Sequence, residues 1–334
     1  MDRPEIDVDK LNRIKRIIAE SHRIVIVSHM NADGDALGSM LGMYHLLGGK
    51  ADMVLTNGCP ENFRWMPGSA DIRSGDIERE ACERLLMDAD LIIGVDFNVA
   101  SRIDYLASSL EQSQAAKILI DHHHSPDETL FDVVVSKPGL SSASELVYWV
   151  ARDMWGNAAI GREAAQCLYT GMCTDTGSFS FSNEQPSLYE AAAALVKKDI
   201  GAAEIHNNIV NTFSSARIRF YGYVLTERLK IYEEKHFAYF YISLADQKRF
   251  GVTSADMEGL VNYTLMMKNI EVGVLMREEE GRVKLSFRSK KDVDVNVIAR
   301  QYFEGGGHTK AAGATSYLSL QETMEKIETI FGLK

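Results

Sequence analysis

The feature that most constrains this chain is a set of short apolar runs, each ending in a polar residue that can carry chemistry. "RIVIVS" (23–28), "LIIGVD" (91–96) and "AKILID" (116–121) place Ile, Val and Leu at successive positions. Strands of this kind are covered on both faces, as in a parallel sheet packed between helices. Helical patterns lie between them. Residues 10–21 carry Leu11, Ile14, Ile17 and Ile18 at helical spacing, and 36–49 is a helix that ends in glycines. Further helices are expected over 142–154 and 164–175, and further strands at 51–56 and 131–135. The alternation predicts an α/β domain with a doubly wound parallel sheet.

Beyond about Pro186 the pattern changes. An Ala-rich and then polar helical stretch leads into strands at 229–234, 237–243, 271–279 and 282–289, the last two joined at Gly281 as a hairpin. Helices are expected near 256–267, 293–303 and 319–331. This second region reads as a smaller α/β domain with a mixed sheet. The boundaries expected are 1–190 for the first domain, 191–228 for a helical linker and 229–334 for the second domain.

Composition narrows the function. The net charge of −11 argues against a long nucleic-acid groove, which depends on clustered Lys and Arg. A nucleic-acid substrate would have to be short. No apolar run is long enough to cross a bilayer. The polar start "MDRPEIDVDK" does not resemble a secretory signal, so a cytoplasmic location is expected. Cys59, Cys82, Cys167 and Cys173 form no C-x-x-C pair, which disfavours a zinc site built on sulfur.

Acids and histidines gather at the predicted strand ends. "RIVIVS" runs into "HMNADGDALGS", with His29, Asp33 and Asp35. Asp96 closes "LIIGVD". Asp121 and His122 close "AKILID" and begin the run "DHHH" (121–124). Asp175 lies in "TDTGSF". Open parallel sheets bind ligands beyond the carboxyl ends of their strands. Each piece alone has an ordinary explanation, such as a helix cap or a turn. Together they do not, because converging carboxylates repel unless cations neutralise them. Imidazole and carboxylate without thiolate suit Mn2+, and also Fe, Co or Mg. Six side chains exceed what one catalytic ion needs and suit two ions sharing a carboxylate. Such a pair, about 3.5–4 Å apart, clamps a phosphate for in-line displacement. On this reading His122 is a ligand, His123 faces the substrate and His124 is a solvated neighbour.

"SHMNADGDALGS", "GVD", "DHH" and "TDTGSF", in this order, resemble the four motifs of the DHH phosphoesterase superfamily. "SSASELVY" (141–148) is similar to its Ser-rich stretch before a helix. "GGGHTKAAG" (305–313) resembles the DHH-associated C-terminal domain. The likeness is to the branch of short-oligonucleotide nucleases (nano-RNases) that also remove the 3′-phosphate of 3′-phosphoadenosine 5′-phosphate. It implies two divalent ions, Mn2+ foremost: one held by His29 and Asp33, the other by Asp35, His122 and Asp175, with Asp96 bridging. Asp121 resembles the acid that orients a histidine. His123 is similar to a histidine that either contacts phosphate or donates a proton. Arg288, Gly305, Gly306, Gly307 and His308 would bind substrate, the glycines as a loop whose N–H groups approach an anion. The second domain would then close over the site. Two positions depart from the usual pattern: Ala32 replaces a common proline and Glu304 a common glycine, and neither is a ligand.

The expected substrates are short RNA or DNA oligonucleotides or small nucleotides, with no long nucleic acid and no membrane, and a homodimer is the default assembly. Rival readings are a cyclic- or linear-dinucleotide phosphodiesterase, an exopolyphosphatase or pyrophosphatase, a long-strand exonuclease, and a non-catalytic nucleotide-binding protein.

Overall fold

The computed structural model describes residues 3–180, 184–211 and 213–333. The chain divides into two compact units, Met1–Thr212 and Phe213–Lys334. In the first, six parallel strands are β1 (Ile24–Val27), β2 (Asp52–Leu55), β3 (Ile72–Ser74), β4 (Leu91–Val95), β5 (Ala116–Asp121) and β6 (Val133–Ser136). They are ordered β3-β2-β1-β4-β5-β6, a doubly wound sheet. Its helices are α1 (Val8–Glu20), α2 (Gly34–Leu46), α3 (Gly75–Asp88), α4 (Ala107–Gln112), α5 (Ala143–Trp155), α6 (Arg162–Asp175), α7 (Pro186–Val196) and α8 (Ala202–Val210).

The apolar runs are explained by strand parity. Ile24, Ile26, Leu91, Ile93, Val95, Ile118 and Ile120 point into one core, shared with α1, α2 and α5–α8. Val25, Val27, Ile92 and Leu119 point into the opposite core, under α3 and α4. Both faces are buried, so neither parity can be polar. Sequence reading overlooked β3 and α3. Ile72-Arg73-Ser74 is a three-residue edge strand, only half-buried, and carries no apolar signature.

The second unit contains α9 (Ser215–Glu227), β7 (Leu229–Tyr232), β8 (Phe237–Ile242), α10 (Leu244–Phe250), α11 (Asn262–Leu265), β9 (Val272–Glu279), β10 (Arg282–Ser289), α12 (Val295–Tyr302), β11 (Glu304–His308), β12 (Ala311–Ser316) and α13 (Leu320–Ile330). Its sheet runs β11-β12-β10-β9-β8-β7, with β8 and β9 parallel and the other pairs antiparallel. The β9–β10 hairpin turns at Glu280–Gly281, with Gly281 in the left-handed region at φ 75°, a conformation glycine adopts without steric cost. The helix expected over 256–267 is reduced to α11 and one preceding turn at Ala255–Met257.

The segment 191–228 is shared between the units. Ala191, Ala192, Leu195 and Ile205 of α7 and α8 join the core of the first. Phe220, Tyr221 and Val224 of α9 join a core of the second. No described helix is long and apolar enough to cross a membrane.

The glycine-rich segment is not the loop expected from sequence. Gly305–His308 lies in edge strand β11, paired with β12. A Cβ on Gly305 would fall 2.3 Å from the carbonyl oxygen of Gly313, and one on Gly307 would fall 2.6 Å from that of Ala311. The glycines are therefore needed for close strand pairing.

Candidate metal centre

β1 and β4 are neighbours, with β2 and β3 to one side and β5 and β6 to the other. At such a switch point the chain leaves adjacent strands in opposite directions and opens a crevice. His29 follows β1, Asp96 is the first residue past β4, Asp121 is the last of β5 and His122 is the next.

Helix packing brings in the other acids. Gly34, Gly38 and Gly42 recur every four residues and form one face of α2. A Cβ on Gly38 would sit 2.7 Å from the Cys167 carbonyl oxygen and 2.8 Å from the Gly171 backbone of α6. Cβ atoms on Gly34 and Gly42 would likewise strike Thr174 and Leu168. This contact sets the first turn of α2 beside the last turn of α6, and so Asp35 beside Asp175. Asp33 caps α2, accepting the N–H groups of Asp35 and Ala36 at 3.0 Å each. Asp35 is buried and accepts N–H groups from the start of α5, Ala143 at 2.6 Å and Ser144 at 2.9 Å.

The six sequence-expected ligands converge in three groups, His29–Asp33–Asp96, Asp35–His122–Asp175 and Asp96–His122–His123, the last of which also takes in His123, expected from sequence to face the substrate. His29 Nε2 lies 3.5 Å from Asp96 Oδ2 and 3.9 Å from Asp33 Oδ1. His122 Nε2 lies 3.6 Å from Asp96 Oδ1, 3.7 Å from Asp175 Oδ2 and 3.8 Å from Asp35 Oδ2. These spacings are too long for hydrogen bonds. They are short enough for donors each about 2.0–2.2 Å from a common ion. Both rings are oriented from behind. His29 Nδ1–H donates to the Met30 carbonyl at 2.9 Å and His122 Nδ1–H to the Leu140 carbonyl at 3.3 Å, turning each Nε2 toward the acids.

Electrostatics supports a cation-binding role. Burial, then the charges of Asp35, Asp33, Asp175 and Asp121, hold the Asp96 carboxyl well above the usual carboxylate range. Its Oδ1 is buried with no hydrogen-bond partner among the described residues, and its backbone is left-handed at φ 59°. Burial raises Asp35 as well, against the favourable charge of His122. Withdrawal from water, then Asp35 and Asp33, also raise Asp175. With 33% of its side chain still meeting solvent, the burial contribution is partly screened there. Burial lowers His29 and keeps the ring neutral, the form that ligates a metal. A buried orphan oxygen among raised carboxyls, beside the neutral His29 imidazole, fits divalent cations as ligands.

Asp121 is fully buried and belongs to none of these groups. Its Oδ1 lies 2.8 Å from His123 Nδ1, and its Oδ2 accepts the His123 N–H at 3.1 Å. His124 is exposed, and its carbonyl accepts from Asn98 Nδ2 at 2.9 Å. Sequence reading missed Asn57, which exchanges hydrogen bonds with Asn31 and braces the loop between His29 and Asp33. It also missed the packing role of the α2 glycines, although their spacing was visible.

The remaining expected site residues lie in the second unit. Arg288 is on β10, with Nη1 donating to the Phe287 carbonyl at 3.0 Å. Burial pulls its guanidinium down, opposed by the charge of Glu258, and among the described residues it forms no ion pair. Gly305, Gly306, Gly307 and His308 form the exposed edge strand β11, whose turn is held by Thr309 accepting from Val295 N and Lys310 from Ser289 N.

Fold and site together define a metal-dependent hydrolase of phosphoric esters. The chain belongs to the DHH family. Residues 23–172 match the DHH family, N-terminal domain, and residues 234–332 match the DHHA1 domain. An exopolyphosphatase-related protein from Bacteroides fragilis is similar at 35% identity and a TM-score of 0.94, over 98% of this chain and 96% of that one. The bifunctional oligoribonuclease and PAP phosphatase NrnA of Bacillus subtilis is 26% identical over 90% of this chain and 92% of its own length. The protein of the same name from Thermus thermophilus is 28% identical over 93% of this chain and 91% of its own.

Proposed function

We propose that this protein hydrolyses short oligonucleotides to mononucleotides and removes the 3′-phosphate of 3′-phosphoadenosine 5′-phosphate, using two Mn2+ ions in the first unit. The observation that carries the reading is the buried Asp96 carboxylate, which reaches toward both ligand sets: its Oδ1, without a hydrogen-bond partner among the described residues, lies 3.6 Å from His122 Nε2, and its Oδ2 lies 3.5 Å from His29 Nε2. His29 and Asp33 hold one ion, Asp35, His122 and Asp175 the other, and Asp96 both. When bound, the ions polarise the phosphate and neutralise the charge that builds up during in-line displacement. The protein supplies the rest. Met30 and Leu140 fix the tautomers of His29 and His122. Asp121 fixes the ring of His123, which stabilises the transition-state charge or protonates the leaving oxygen. Arg288, which forms no ion pair among the described residues, grips a substrate phosphate. The N–H groups of β11 and His308 add donors to it. An acidic chain that grips one end of its substrate favours short nucleic acids.

The names of the Bacillus and Thermus relatives support this reading. The Bacteroides structure's name supports exopolyphosphatase as the second. The test is product analysis with purified protein and Mn2+. Substrates are an RNA dinucleotide, a pentanucleotide, an RNA of about two dozen nucleotides, 3′-phosphoadenosine 5′-phosphate and polyphosphate. Rapid cleavage of the dinucleotide, the pentanucleotide and the bisphosphate, with the long RNA and polyphosphate spared, is expected. Cleavage of polyphosphate alone would replace this reading with the second.

A further inference from the structure

Glu145, on the first turn of α5, is fully buried and lies outside every ligand group. Its Oε2 accepts the Ser141 N–H at 3.1 Å and the Ser141 hydroxyl at 2.7 Å. Its Oε1 accepts the Ser187 hydroxyl at 2.6 Å and the Trp149 indole N–H at 3.3 Å. None of these four donors is charged. Burying a carboxylate among neutral donors is costly, and an apolar residue would serve packing better.

What the carboxylate fixes is the turn into α5. Ser141 follows Leu140, whose carbonyl orients His122. Ser142 caps α5 by accepting the Glu145 N–H at 3.0 Å. The next two N–H groups, of Ala143 and Ser144, hold the two oxygens of Asp35. The same turn thus orients two ligands that come from distant segments. Both belong to the group Asp35–His122–Asp175 and neither to His29–Asp33–Asp96.

We propose that Glu145 is a positioning residue for one of the two metal sites, the one built on Asp35 and His122. The inference rests on the two-ion reading above. Glutamine in its place cannot satisfy the network. Ser141 N–H and Trp149 Nε1–H can only donate, so the amide nitrogen opposes one of them whichever way it turns.

The test is Mn2+ binding to the otherwise metal-free protein, by calorimetric titration, with thermal melting in parallel. Variants are Glu145→Gln, Ser141→Ala and a control, Ser113→Ala. Ser113 is a buried hydroxyl at the far end of the sheet, donating to the Leu86 carbonyl at 2.6 Å. Wild type should bind two Mn2+. Glu145→Gln and Ser141→Ala should each weaken one Mn2+ by about 10–100-fold and leave the other unchanged. Ser113→Ala should lower the melting temperature without altering either affinity. If Glu145→Gln does not fold, Ser141→Ala decides alone. Two wild-type sites with variant isotherms that superimpose on wild type, or both sites weakened alike, would overturn the role of Glu145. A wild-type stoichiometry below two would overturn the two-ion reading itself.

Discussion

His123 Nδ1 and Asp121 Oδ1 lie 2.8 Å apart, inside a strand end where Asp121 is wholly buried. The pair separates His123 from its neighbour. His122 turns its Nε2 to three acids, whereas His123 spends its Nδ1 on Asp121. His123→Ala should therefore lower kcat by about 10²–10⁴-fold while Mn2+ binding persists. Asp121→Ala should lower kcat less, because the ring loses its fixed orientation but keeps its chemistry. Loss of a Mn2+ in His123→Ala, read by titration, would make His123 a ligand instead.

The contact of Gly38 with Gly171 gives a second expectation. Gly38→Ala forces α2 from α6, because the blocking atoms are backbone and cannot rotate aside. Stability should fall by about 1–3 kcal/mol, measured by denaturant titration. Mn2+ affinity should fall too, since the same contact sets Asp35 beside Asp175.

The β11 glycines separate fold from binding. Gly305→Ala drives a Cβ into Gly313 and should destabilise the second unit. Gly306 is different: the nearest atom to a Cβ there is 3.6 Å away, on the Arg300 side chain. Gly306→Ala should leave the melting temperature unchanged. If the β11 backbone meets substrate, it should raise KM with kcat intact.

The raised carboxyls of Asp96, Asp175 and Asp35 fix a pH dependence. A group whose pKa is higher folded than unfolded stabilises the fold below its unfolded value, about 3.9 for Asp. That stabilisation is lost as pH rises through the folded value. The metal-free protein should thus lose stability from this cluster on going from acid to neutral pH. Mn2+ needs the ionised acids, so the rise in melting temperature on adding it should be larger at about pH 8 than at about pH 5. Equal rises at both would contradict a carboxylate-built site.

Much of this was legible in sequence, for a physical reason. β1, β4 and β5 are buried on both faces, so their runs are unbroken, and the polar residues that follow must sit at strand ends. Asp96 and His122 could be placed from that alone. Elements whose stability comes from partners were not legible. β11 and β12 consist of glycine, alanine and a few polar residues that carry no strand signature, and they hold together because missing side chains let backbones approach. Sequence reading marks only Gly48 and Gly49, as the end of the helix, while Gly34, Gly38 and Gly42 are a packing face. Glu145 looked like one more helix residue, and its network exists only once Ser141, Trp149 and Ser187 meet.

Asp96 carries the central claim, that two ligand groups share one carboxylate. Asparagine tolerates the left-handed backbone at φ 59° and keeps the side chain's shape. It also removes a buried charge from among Asp33, Asp35, Asp121 and Asp175, so metal-free Asp96→Asn should melt no lower than wild type. The most direct measurement is hydrolysis of an RNA dinucleotide by folded Asp96→Asn at saturating Mn2+. Losing several kcal/mol of transition-state stabilisation should slow it on the order of a thousandfold. A rate within a few-fold of wild type would contradict the shared-carboxylate site.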